Sequence, residues 1–411
     1  MLMQTAPIQA IELKYSPISV DQYLELVRQS NAYINGASLE VQTSLANKES
    51  QSLYQFAPSV SYSRGAYQNQ TPYSPYNTPQ SSTYGLAFTI EGWGKRSARE
   101  KLAQAQTEAS QVQLERTRAT VELNELNTYV DTLRLKLMIQ SYNTALGKLK
   151  ALQVSAKTTD AERFLNNYKT STEKDLSFSA LNLLNFSGDS LQDLPYPKGN
   201  LNFPAQEYNV EELIAQGQSQ RIEALSLLSA IDVAEKNVTL TMKNRNVNVY
   251  PYVAQTRTPQ YQYTNGVSYS LPAIASQPAQ TLTSQGTTYT AQNSISAGVT
   301  IPIPVNNYLQ TADVVSAANQ KLNYEMQLRD LKVQIRVQVI QAFMQYSAAR
   351  DILLNAQAMY EATLKNPNKN PILAIMDTRD KEGSLLDAKT NHLKSLINLW
   401  RQSGNYSVPT L

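Results

Sequence analysis

Ser294-Ile295-Ser296-Ala297-Gly298-Val299-Thr300-Ile301 alternates apolar and small residues one by one, the period of a strand with a single apolar face. It lies within Thr258 to Ala312, a stretch that holds no charged residue. A second charge-free stretch, Gly65 to Ile90, contains the same pattern: Leu86, Phe88 and Ile90 alternate with Gly85, Ala87 and Thr89. Strands at the surface of a soluble protein ordinarily show Lys or Glu to water. Here the non-apolar positions are small and neutral, and each stretch runs at once into a long, charge-rich helical pattern. The contrast indicates that one part of the chain meets lipid and another meets water.

The bulk composition narrows the choice. Of 411 residues only 17% are charged, and the net charge is +3. So balanced a surface argues against nucleic acid as a partner, since phosphate binding needs clustered Lys and Arg. Cysteine is absent and the single histidine is His392, which leaves no disulfide, thiolate nucleophile or multi-histidine metal site. At helical spacing from Leu385, Lys389 and Leu396, His392 reads as a packing or surface residue. No phosphate-cradling glycine loop, no nucleophile with a nearby base and no metal-ligand spacing occurs. The expectation is therefore a protein that is not an enzyme, with no cofactor and no metal. No run of eighteen apolar residues exists to form a transmembrane helix. Met1 to Ala10 lacks the basic and apolar regions of a signal peptide, so an exported chain is expected to have lost its leader.

The chain also repeats itself. Residues 1–208 and 209–411 read as two copies of helix, helix, strand, strand, long helix. Ser19 and Asn209 suit helix N-caps, with carboxylates in the turn that follows. Strands are expected at about 56–67 and 83–92 in the first copy, and at about 247–258 and 292–303 in the second. Long helices follow at about 94–150 and 309–365. In the first, Leu102, Ala105, Ala109, Val112, Ala119, Leu123, Leu126, Val130, Leu133 and Leu137 step by threes and fours, with Arg116 intruding. In the second, Leu328, Ile335, Val339, Ala342, Tyr346, Ala349, Leu353, Ala356 and Tyr360 do the same, with Lys332 intruding. Such a repeat makes a left-handed coiled coil, and about 55 residues would span on the order of 80 Å. The connector at 155–207 reads as a short helix plus irregular chain. Asn366-Pro367-Asn368-Lys369-Asn370-Pro371 breaks the second long helix, making a hairpin tip before a terminal helix at about 373–404. Gly147 and Lys150 to Asp160 mark the corresponding tip in the first copy.

Four strands in one chain cannot close a barrel, and open edges in a bilayer need partners. Several copies pooling their strands would solve this. Tyr62, Tyr67, Tyr84, Trp93, Tyr250, Tyr252 and Tyr308 sit near strand ends, where membrane-interface aromatics belong. Lys95, Arg96, Arg99 and Lys101 would mark a solvated junction between strands and helices.

On these features the chain resembles the TolC-like outer-membrane efflux protein family. The order of elements, given twice, is the family's plan. Three motifs carry the likeness: Ala57-Pro58-Ser59-Val60-Ser61 leading into the first strand, Arg221-Ile222-Glu223-Ala224-Leu225, and Ile375-Met376-Asp377-Thr378-Arg379-Asp380 ahead of Leu385-Leu386-Asp387-Ala388-Lys389. The match runs from about Ile18 to Gly404. It departs at Ile303-Pro304-Val305-Asn306-Asn307-Tyr308, which lacks the usual Gly, whereas Glu91-Gly92-Trp93-Gly94-Lys95 is closer. The resemblance implies a mixed α and β membrane protein: a homotrimer with a twelve-strand barrel in the outer membrane, four strands from each chain, continued by an α-helical periplasmic tunnel. It further implies partnership with a periplasmic adaptor protein and an inner-membrane transporter, in a tripartite efflux or type I secretion system. Asp377 and Asp380 map onto the family's periplasmic gate, where three copies would form a ring that attracts cations and repels anions. Arg379, where an apolar residue is usual, could pair with one of them. A solvated charged turn would also suit both residues. A coiled-coil surface or fibre protein is the reading from another class, though a fibre has no use for apolar alternation within charge-free strands.

Overall fold

The computed structural model describes residues 14–53, 58–66, 80–152, 156–187, 193–264, 268–271, 280–283, 286–302 and 311–409. Its helices are α1 (Val20–Ser30), α2 (Ala32–Ser52), α3 (Lys95–Lys150), α4 (Ala156–Ser187), α5 (Val210–Gln220), α6 (Ile222–Lys243), α7 (Ala312–Lys365) and α8 (Pro371–Gln402). Its strands are β1 (Tyr15–Ile18), β2 (Ser59–Ala66), β3 (Gln80–Ala87), β4 (Leu194–Pro197), β5 (Tyr250–Thr264), β6 (Ser268–Leu271), β7 (Gln280–Thr283) and β8 (Gly286–Thr300). The chain forms two compact units. One comprises Met1–Lys48, Ala103–Glu235 and Ala318–Leu411; the other comprises Glu49–Leu102 and Lys236–Ala317.

In the first unit, local signals place the helix starts. Ser19 accepts from the Gln22 amide while the Gln22 side chain accepts from the Ser19 amide, a capping box. Asn209 accepts from the Glu211 amide, and Glu211 and Glu212 follow in the first turn. The helical runs then break once each. At Asn31 the side-chain oxygen takes over the amides of Tyr33 and Ile34. At Arg221 a buried guanidinium grips Glu223 and Gln338.

The three-and-four spacing of the long helices is core spacing. Ile335, Val339, Ala342, Tyr346, Ala349 and Leu353 of α7 are buried. Several of them pack with Leu213, Ala224, Leu396 and Leu399 in one cluster. Leu126, Tyr129, Val130 and Leu133 of α3 form another with Tyr23, Leu24, Val27, Leu183, Leu393 and Ile397. Arg116 and Lys332, the two intrusions, are exposed. His392 is buried against Tyr346, ring centroids 5.3 Å apart, and burial lowers its pKa.

Two expectations need correction here. The connector is not mostly irregular: α4 is a helix of 32 residues. Its Asn, Ser and Thr content lowers local helix preference, but Leu165, Leu176, Ala180 and Leu183 form a narrow buried stripe. Tertiary burial thus supplies what propensity does not. The first hairpin tip is also tighter, because Gly147 lies inside α3 and Asp160 inside α4. Beyond α4, β4 pairs in parallel with β1. Its prolines Pro195 and Pro197 stand between the donors Leu194 N and Lys198 N, which reach Lys14 O and Ile18 O at 2.9 and 2.8 Å, so the ladder asks neither proline for a proton.

The second unit holds a four-stranded antiparallel sheet, order β2-β3-β5-β8. Strands β5 and β8 run 15 residues each, up to Thr264 opposite Gly286, well past the expected ends. The Thr and Tyr of that region favour extended chain without making the apolar alternation that marks a strand in sequence. Strands β6 and β7 pair separately. At the exit from the sheet, a Cβ on Gly92 would lie 2.8 Å from Val247 O, and Gly94 has φ +80°, so this turn requires glycine. Arg99 is not solvated as expected: it is paired at 2.7 Å with Glu91, with only 11% and 8% of the two side chains exposed.

Candidate functional site

Within the second unit, the register sorts every side chain of the sheet onto one of two faces. Val60 pairs with Leu86, Leu86 with Val253, and Val253 with Ala297. The next row on that face reads Tyr62, Tyr84, Gln255, Ile295. Val60, Tyr62, Tyr84, Leu86, Val253, Ile295 and Val299 are all exposed, Val60 at 82% and Ile295 at 77%. The opposite face carries Ser61, Gly85, Ala254 and Ser296 in one row and Ser63, Thr83, Thr256 and Ser294 in the next. There the Thr83 and Thr256 hydroxyls meet at 3.1 Å, and Ser296 and Ser294 donate to the carbonyls of Ala254 and Thr256. One face is greasy and bare, and the other is small and hydrogen-bonding.

The aromatic residues expected near strand ends divide between the faces. Tyr62 and Tyr84 stack across β2 and β3 on the apolar face, centroids 5.1 Å apart. Tyr250 and Tyr252 fall on the other face by register, Tyr252 over Gly298, where a Cβ would come within 2.7 Å of its hydroxyl. Trp93 is 94% exposed in the glycine turn. Tyr67 and Tyr308 lie outside the described residues.

Within the first unit, the second hairpin tip presents the acidic pair. Asn370 caps α8 by accepting from the Ile372 amide at 3.0 Å, with Pro371 in the first turn. Asn368 accepts from the Asn370 amide and reaches Asp377 at 3.4 Å. Ile372, Ile375 and Met376 pack against Tyr142, Leu146, Leu149 and Leu165, which turns Asp377 and Asp380 outward. Arg379, the residue that could neutralise them, divides its guanidinium between a long ion pair with Asp380 and the Tyr142 ring. Its guanidinium sits 3.6 Å from the Tyr142 ring centroid, a cation–π contact, and only 3.9 Å from Asp380. The side chain of Asp380 is 77% exposed. The exposed line continues up α8 through Ser384, and Asp387 on the same line pairs with Arg134.

A third acid was not legible in the sequence. Glu125 is buried beside Leu126, 2.6 Å from the Tyr23 hydroxyl, which is also 3.2 Å from Leu183 O. The Tyr23 hydroxyl donates to Glu125 Oε2, which by itself favours the charged carboxylate, but burial outweighs it. Burial pushes the Glu125 carboxyl up from 4.5 to about 7 and pushes the Tyr23 hydroxyl up as well. The folded protein therefore holds a proton that the unfolded chain has released between about pH 4.5 and 7. Stability falls as pH rises through that window, by about 3 kcal/mol for this group. Glu125→Gln should flatten the loss, raising the unfolding temperature at pH 8 and changing it little at pH 5. Parallel unfolding curves for both proteins at both pH values would refute this.

No cluster of His, Cys, Asp and Glu able to hold a metal occurs among the described residues. Nor is any described helix long and apolar enough to cross a membrane. No protein-family model matches the sequence, and no curated protein does. Solved structures do match. The Campylobacter jejuni CmeC outer membrane channel aligns with a TM-score of 0.58 at 14% identity, over 95% of this chain and 87% of that one. The outer membrane protein VceC from Vibrio cholerae aligns at 0.59 and 12%, over 94% and 96%. The open-state Neisseria gonorrhoeae MtrE outer membrane channel aligns at 0.56 and 13%, over 94% and 89%. The chain has the TolC-like fold of these outer-membrane channels.

Proposed function

We propose that the protein is the outer-membrane exit duct of a tripartite efflux or type I secretion system, working as a homotrimer. The observation that carries this is the sheet: one face apolar and exposed, the other small and polar, and β2 and β8 at its two edges. Apolar residues outward and small polar residues inward is what a water-filled barrel in a bilayer requires. Three chains would supply twelve strands and leave no edge.

The helices support the same assembly. Met326, Val333, Val337, Ile340 and Met344 of α7 are spaced by seven, four, three and four residues, and all are exposed. An apolar stripe at coiled-coil spacing suits the flank of a neighbouring copy. The doubled plan is supported by matching lengths: α1 and α5 have 11 residues each, and α4 and α8 have 32 each. The duct would pass substrates passively, while an inner-membrane transporter does the work and a periplasmic adaptor docks at the hairpin tips. Asp377 and Asp380 of three copies would ring the periplasmic opening.

Membrane fractionation and planar-bilayer recording test the proposal together. The expected outcome is a detergent-extracted, heat-resistant trimer from the outer membrane that forms single channels. A water-soluble rod without conductance would instead favour the fibre reading.

A further inference from the structure

Two arginines mark where the charge-free stretches begin. Arg64 immediately precedes Gly65, and Arg257 immediately precedes Thr258. The register brings them to the same height: Arg64 pairs with Ser82, Ser82 with Arg257, and Arg257 with Asn293. This row lies on the apolar face, next to the row of Tyr62, Tyr84, Gln255 and Ile295. Both arginines are exposed. Strands β2, β3, β5 and β8 contain no Asp or Glu, so the sheet offers neither guanidinium a carboxylate. Every side chain in the row can donate a hydrogen bond.

A cation on an apolar, lipid-facing surface is costly at the middle of a bilayer and cheap at its boundary. The row sits near one end of the apolar band, within the reach of an extended arginine from its boundary. From Val249, paired with Ile90 at the helix end of the sheet, to Arg257 the strand rises about 26 Å. With the usual tilt of about 45° that is a height of roughly 19 Å, against an apolar band about 25 Å tall. The stacked Tyr62 and Tyr84 come one row before it, as aromatic residues do at an interface. Arg64 and Arg257 are two strands apart, about 10 Å between backbones, with the small Ser82 between them. Two long guanidinium arms can close over a tetrahedral anion at that spacing, each donating two charge-assisted bonds.

We propose that Arg64, Ser82, Arg257 and Asn293 form a binding site on the outer wall of the barrel for the phosphate headgroup of a membrane lipid. The site belongs to the leaflet nearer the strand–strand connections. The inference rests on the barrel reading above, since only there does this face meet lipid. The lipid's chains would lie along Tyr62, Tyr84, Val60 and Leu86, so a free phosphate would bind far less well.

Native mass spectrometry of the detergent-solubilised protein tests this, with dioleoyl phosphatidic acid, dioleoyl phosphatidylcholine and inorganic phosphate as probes. The wild type should retain phosphatidic acid in preference to phosphatidylcholine. Arg64→Gln with Arg257→Gln should lower phosphatidic acid retention at least about tenfold, the loss expected when charge-assisted bonds to a phosphate go. Arg64→Lys with Arg257→Lys should keep most of it. Equal retention of the two lipids, no loss in the glutamine variant, or inorganic phosphate competing at equal concentration would each overturn the site. Bilayer conductance of the same samples separates the two claims. Channels without lipid preference would defeat this inference alone, whereas no channels would defeat the duct itself.

Discussion

Leu86→Lys should abolish the heat-resistant trimer, while Ser296→Lys should leave it standing. Leu86 lies mid-sheet on the exposed apolar face, flanked by Val60 and Val253. Ser296 is one strand away from Val253's neighbours on the opposite face, donating to Ala254 O. A lysine on the lipid face near mid-bilayer costs about 2–4 kcal/mol, and a lumen-facing one costs little. Three copies multiply the first cost to roughly 6–12 kcal/mol per trimer, comparable to the whole stability of an ordinary domain. Gel mobility of unheated membrane extracts would show the difference directly. Equal tolerance of both substitutions would mean that neither face meets lipid.

Removing the acidic pair should change what the channel lets pass without harming its assembly. Asp377→Ala with Asp380→Ala should raise single-channel conductance and weaken block by divalent cations, raising the blocking concentration at least about tenfold, or about 1.4 kcal/mol. The basis is geometric. Tyr142 holds the Arg379 guanidinium at 3.6 Å, so its pairing with Asp380 is long, at 3.9 Å, and Asp380 stays highly exposed. Arg379→Ala should therefore affect packing at the tip more than cation block. Rings of carboxylates select cations at a constriction. Wild-type cation sensitivity in the double variant would remove these residues from the gate and leave the duct intact.

The tip shows how unevenly the sequence speaks. Asn366 to Pro371 announces the end of one helix and the start of the next, because prolines cannot continue a helix and Asn370 can cap one. The first tip has no such signal, and it is shorter than the span from Gly147 to Asp160 because α3 runs to Lys150 and α4 starts at Ala156. Arg379 pairs with Asp380, as the sequence allowed, at 3.9 Å; what the sequence did not show is its ring contact with Tyr142, far away in the chain. Glu125 gave no sign in the sequence, since nothing local says that a carboxylate in α3 faces Tyr23 from α1.

What the sequence determined by itself is whatever depends on neighbours along the chain. Alternation at period two set the faces of β3 and of the second half of β8. Threes and fours set the buried line of α7, and caps and prolines set where helices begin. The tertiary structure decided what depends on neighbours across the chain. It made α4 a full helix by burying Leu165, Leu176, Ala180 and Leu183. It placed Arg64 and Arg257 in one row through strand register. The physical reason is the same in each case: local sequence fixes which way a side chain points, but only packing and register fix what it meets.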